Sequence, residues 1–250
     1  MPNIEYSPEY KYEIGLDEAG RGPMFGRLYV AAVVLSKDTF CNNDIKDSKK
    51  IHSKTKMKKL ANYIKENSIA WAVEYVEHDV IDEINIRNAV ITGMHKCINT
   101  IFEKLSNLQT EQPVNLSSAE IKNSSILLVD GNDFKPYVVY DDEAESLVSV
   151  THETIEGGDN LYTAISAASI LAKHSRDQYI QNLCWSYPDL IDRYGIDSNM
   201  GYGTKKHMEG IAKWGITQWH RRTYGCCKDA PYSPVLRVDE SDDEYYEDEE

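Results

Sequence analysis

Residues 12–35 read YEIGLDEAGRGPMFGRLYVAAVVL. Tyr12–Asp17 is apolar enough for a strand, and it stops abruptly at the EAGRGP turn. Arg27–Leu35 is a second strand, too short for a stable helix and rich in β-branched residues that suit a pleated sheet. Working outward, Met57, Leu60, Ala61 and Ile64 recur at helical spacing within 54–66. Residues 69–77 alternate, with Trp71, Val73 and Tyr75 on one face of a half-buried strand. Val90, Met94, Cys97, Ile98, Ile101 and Leu105 share one side of a longer helix. The polar stretch 106–124 reads as a loop, and Ser125–Asp130, SILLVD, as a buried strand that closes on a carboxylate. A short strand is expected over Tyr137–Tyr140. Leu161–Leu183 reads as a helix whose first half is built of small residues (Ala164, Ser166, Ala167, Ala168, Ser169), so that another backbone can approach closely. Thr204–Trp214 is a basic helix stopped by Gly215.

Strands first, helices between them and more helices at the end predict an α/β domain with a mixed central sheet flanked by helices. The expected organisation is a leader over 1–11, a catalytic domain over 12–181, a helical substrate-binding extension over 182–228, and an acidic disordered tail over 229–250. No apolar run approaches the roughly 20 residues that span a bilayer, and the first residues lack the basic start and apolar centre of a signal peptide. The five cysteines are odd in number and without CxxC spacing, which argues against a disulfide framework or zinc knuckle and for a reducing, cytoplasmic setting. The net charge of −14 is uneven: DESDDEYYEDEE (239–250) carries nine acids and no base, leaving about −5 for the rest. Residues 46–59 hold seven lysines and one acid, and 205–222 hold five Lys or Arg and one acid, so basic stripes suited to phosphates persist on an acidic chain.

Four carboxylates stand where chain ends meet turns: Asp17 and Glu18 close one strand, Asp130 closes another, and Asp159 follows Gly157-Gly158 just before a helix. Strand ends are where open α/β sheets bind ligands. Carboxylates gathered there repel one another unless a cation neutralises them, and Mg²⁺ accepts a few carboxylates completed by water and substrate phosphate. The matching chemistry is two-metal phosphodiester hydrolysis. Taken singly, each acid also suits a cap or a turn, and Asp159 could simply cap the helix that follows. Gly20-Arg21-Gly22 follows Asp17-Glu18 after a single residue, Ala19. Its bare backbone would let a ribose 2′-hydroxyl approach N–H and C=O groups, with Arg21 on a neighbouring phosphate.

GLDEAGRGPMFG (15–26), DSKK (47–50), LLVDG (127–131), GGDNLYTAISAASILAKHSRD (157–177), MGYGTKKH (200–207) and HRRTY (220–224) closely resemble the type 2 ribonucleases H, the RNase HII group, in that family's order. The resemblance implies an RNase H-like fold and cleavage, dependent on Mg²⁺ or Mn²⁺, on the 5′ side of a ribonucleotide in RNA–DNA hybrids or in DNA. The family's metal-binding acids fall on Asp17, Glu18, Asp130 and Asp159, and its 2′-hydroxyl-reading turn on Gly20, Arg21 and Gly22. Its sugar-stacking tyrosine falls on Tyr202, and phosphate contacts fall on Ser48, Lys49 and Lys173. The GRG form points to RNase HII rather than HIII, and GYGTKKH to a single-chain bacterial form acting as a monomer. Two departures stand out: His174 replaces a more usual apolar residue, and the acidic tail occupies the place of any clamp-binding peptide. A different nuclease on the same fold, or an inert nucleic-acid-binding protein, are the competing readings. Loss of any of the acids would have favoured the inert one.

Overall fold

The computed structural model describes residues 2–41, 45, 53–110, 117–141 and 145–233. Five strands build the central sheet: β1 (Tyr12–Ala19), β2 (Leu28–Val34), β3 (Ala70–Val76), β4 (Ser125–Asp130) and, after a separate hairpin of β5 (Val138–Asp141) and β6 (Ser146–Ser149), β7 (His152–Ile155). Their order is β3-β2-β1-β4-β7, with β2 antiparallel to both neighbours and β1, β4 and β7 parallel. The sheet is therefore mixed.

Both faces of the sheet are covered, which is why β2 is buried along its whole length. On one face Ala31 and Val33 pack against α1 (Lys54–Asn67) and the small residues Ala164, Ala167 and Ala168. On the other lies α2 (His78–Thr110), where a Cβ added at Gly93 would stand 2.6 Å from a Val30 methyl. α2 is broken at Asn85 (φ 64°, ψ 162°), whose side chain then accepts the Asn88 N–H. Residues 106–110, expected in a loop, continue α2, and α3 (Ser118–Asn123) is a further helix. The cause is local: Ser117 and Glu120 form a reciprocal capping box that satisfies the first free N–H groups. In β3 the alternation is as expected, but the fully buried face is Ala70, Ala72 and Val76, while Trp71 and Val73 pack partly buried under α1.

The 1–11 segment is tied into this unit. Asn3 N–H donates to the Leu161 carbonyl, Thr163 N–H donates to that of Asn3, and Lys37 bridges Glu5 and Glu13. Asn3 thereby braces the junction of α4 (Gly158–Leu161) and α5 (Thr163–Ser186).

The chain divides into two compact units, one of 1–21 with 27–176, the other of 22–26 with the residues from Asp177 onward. The second unit thus begins five residues earlier than the 182 expected for the helical extension, and it also takes in Gly22–Gly26. Within it are α6 (Asp189–Tyr194), α7 (Ile196–Asn199), α8 (Lys205–Trp214) and a 3-10 turn over Gly225–Asp229, around a core of Phe25, Ile180, Leu190, Tyr194, Ile196 and Ile211. Phe25 bridges His220 as an isolated β-pair, which binds the 22–26 segment to this unit. Among the described residues no helix is long and apolar enough to cross a membrane, and all five cysteines are free.

Candidate active site

Side chains alternate across a strand, so Gly15 and Asp17 share one face of β1. That face meets α5: a Cβ at Gly15 would lie 2.2 Å from the Ala164 carbonyl carbon. On β4, Ile126 and Leu128 pack against Ile165 of α5, so Asp130, two residues on, projects to the same side. Leu16 and Val129 are register partners in the parallel pairing, and Asp17 and Asp130 follow them on adjacent strands. Parallel pairing and period-two alternation together set these carboxyls side by side.

Asp17 is 6% exposed. Burial, then the charge of Glu18, then that of Asp130, pushes its carboxyl well above the ordinary carboxylate range, against hydrogen bonds from Ser169 and the Glu18 N–H. Glu18, on the opposite face of the strand by alternation, holds Arg21 at 3.3 Å. Asp159 is 2% exposed and sits in the first turn of α4. It does not cap that helix, whose N-cap is Gly157; its Oδ1 accepts from Asn160 at 2.8 Å. The preceding residue, Gly158, abuts Asp130, since a Cβ there would lie 3.4 Å from Asp130 Oδ1.

Gly20 has φ +104°, a region L side chains rarely adopt, and a Cβ would lie 2.4 Å from Arg176 Nε. Arg176 is buried and donates to the Arg27 carbonyl, so it props the glycine turn from beneath. Ser169 and Arg176 are the supporting residues that sequence reasoning missed, although both stand in the quoted 157–177 stretch. Lys173 lies partly buried on α5. In the second unit, Gly22 faces Tyr202, with a Cβ position 3.3 Å from the ring; Tyr202 is 51% exposed. Ser48 and Lys49 lie outside the described residues.

Among the described residues no three His, Cys, Asp or Glu side chains are close enough to hold a metal ion unaided. The donors present are hard oxygens, and the crowded charge around buried Asp17 is relieved by a cation. A Mg²⁺- or Mn²⁺-like ion that takes a carboxylate or two and completes its shell with water and phosphate fits such a set; a closed protein cage does not.

The fold belongs to a known class. An RNase HII structure from Archaeoglobus fulgidus, solved as a complex with PCNA, aligns over 86% of this chain and 95% of that one, with TM-score 0.58 and 23% identity. A structure of Bst-RNase HIII in complex with Mn²⁺ aligns over 85% and 70% respectively, with TM-score 0.52 at 15% identity. Those likenesses establish an RNase H-like α/β fold. Sequence carries the matter further: the Ribonuclease HII family model matches residues 14–227, and a Ribonuclease HII of Parabacteroides distasonis is 38% identical over 221 residues, 88% of this chain and 94% of the relative. The chain belongs to the ribonuclease HII family and is a type 2 ribonuclease H, a hydrolase whose family acts on the RNA strand of RNA–DNA hybrids.

Proposed function

We propose that this enzyme cuts the RNA strand of hybrids and also cleaves 5′ of single ribonucleotides in duplex DNA, leaving 3′-hydroxyl and 5′-phosphate ends. Asp17, Glu18, Asp130 and Asp159 would hold the divalent ions, Mg²⁺ or Mn²⁺, two per site. When bound, such ions activate the attacking water and stabilise the leaving oxygen. The observation that carries this reading is Asp17: a buried carboxyl beside Asp130 on one sheet face and under the charge of its neighbour Glu18, which costs stability unless a cation or proton compensates it.

The chain's own residues supply the rest. Without ions, Asp17 retains a proton more readily than an ordinary aspartate. Ser169 orients it, and Arg21 restrains Glu18. Gly20, Arg21 and Gly22 would read the ribose 2′-hydroxyl through the open backbone, with Tyr202 against the sugar. Lys173, with Ser48 and Lys49, would contact phosphates. The protein would act as a monomer in a reducing, cytoplasmic compartment. Nothing in 229–250 suggests a clamp-binding peptide.

The test is a DNA duplex with one ribonucleotide, incubated with Mg²⁺ beside all-DNA and all-RNA controls. Cuts 5′ of the ribose alone support the reading; retention of the duplex without cutting removes it.

A further inference from the structure

Two histidines of the second unit, His207 on α8 and His220, are buried to 0% and 1% exposure. Their Nε2 atoms lie 3.1 Å apart. The Thr217 backbone N–H can only donate, and it points at His220 Nδ1 from 3.0 Å. His220 Nδ1 is therefore an acceptor, and the ring's proton resides on Nε2. His220 Nε2–H then donates to His207 Nε2, which leaves the second proton on His207 Nδ1. That N–H donates to the Tyr202 carbonyl at 3.0 Å. One fixed backbone donor thus dictates the tautomer of both rings.

The relay joins the two sides of the Tyr202–Gly22 contact. On one side the Tyr202 carbonyl accepts from both His207 and the Thr204 N–H at 2.8 Å. On the other, His220 pairs with Phe25, and its chain neighbours hold the same segment: Trp219 accepts from Gly26 N–H, and Arg221 N–H donates to Met24. Phe25 and Tyr194 pack edge-on against His220, with ring centroids 5.0 and 5.1 Å away. Burial holds His207 below the ordinary imidazole range, which favours its neutral form.

We propose that His207 and His220 are positioning residues that set the spacing between the Tyr202 ring and the Gly22 backbone, and through it the preference for an isolated ribonucleotide over a long hybrid. The inference rests on Tyr202 and Gly22 meeting the junction sugar, as proposed above. A ring held by a flexible loop would accept any duplex that brings many riboses past it. A ring held at fixed height over a bare glycine rewards the single ribose that fills the slot.

The experiment compares kcat/KM on single-ribonucleotide and long-hybrid substrates. His207→Phe keeps an aromatic ring but removes both hydrogen bonds, and the preference for the single ribonucleotide is expected to fall about tenfold. His207→Asn restores a donor near the Nδ1 position and should recover most of the preference. In a Tyr202→Ala background, His207→Phe should change the preference no further, because it acts through that ring. A ratio unchanged by His207→Phe, or an equal further loss without Tyr202, overturns the inference. If the wild type fails to cut the single-ribonucleotide duplex, the proposed function fails instead. The wild-type protein gives a second readout that no misfolded variant can obscure: ¹⁵N imidazole shifts should show His207 protonated at Nδ1 and His220 at Nε2. The opposite tautomers overturn the relay.

Discussion

Replacing Asp17 by asparagine removes a buried carboxyl that burial, Glu18 and Asp130 all make costly to ionise. Its folded-state pKa is raised, so the unfolded chain sheds that proton first and stability is lost as pH rises past the usual aspartate range. Asp17→Asn is therefore expected to raise the thermal midpoint at neutral pH while lowering turnover by roughly 10²- to 10³-fold. Adding Mg²⁺ should raise the midpoint of the wild type and do so less in the variant; differential scanning with single-turnover assays checks both. Asp130→Asn should cut turnover similarly yet leave duplex affinity nearly intact, since it removes acidic charge and no basic contact; a filter-binding titration decides. The positions of the four proposed acids, at strand ends and at the start of a helix, were readable in sequence. Ser169 and Arg176 were not, because a serine or arginine inside an α5-like pattern announces nothing until the helix is laid against β1 and the Gly20 turn.

At the scale of elements, the close seat of α5 on β1 is the contact that aligns the carboxyls. Gly15→Ala would drive a methyl into the Ala164 backbone, and a destabilisation of about 3 kcal/mol is expected from such overpacking, read as a lowered urea midpoint with activity falling alongside. The small residues opening this helix were visible in sequence as a docking face; their partner was not. The stretch 106–124 misled because it is polar, although Ser117 and Glu120 have capping-box spacing that outweighs composition. In β3 the period was right and the burial faces were not, since helices cover both sides of the sheet. α8 carries its own prediction. His207 has a folded pKa below the ordinary imidazole value, so the unfolded chain binds the extra proton first and stability falls as pH drops below about 6.5. Unfolding midpoints taken from about pH 7 down to about pH 5 should show that decline, and His207→Phe should flatten it.

Across the whole molecule, charge is the property most open to test. Deleting 239–250 removes nine acids from a chain of net charge −14 and leaves the globular part intact in composition. Duplex binding is expected to tighten several-fold at low salt, with the gap closing as salt screens the tail. Equal affinities at low salt would assign the segment to solubility alone. Fold class and four of the five central-sheet strands were readable from periodicity, and the family from its ordered motifs; β6 and β7 were not foreseen. The grouping of Gly22–Gly26 with the C-terminal unit was not, since it depends on Phe25 pairing with His220 almost two hundred positions away.

The parallel pairing of β1 with β4 sets Tyr12 opposite Ser125, and Asp159 follows later still. Contacts so distant along the chain form slowly and late. A polypeptide still leaving the ribosome therefore carries its first two acids long before it carries the others. Prematurely terminated products lacking the β4 segment should have no nuclease activity, sparing the cell's own nucleic acids from half-made enzyme.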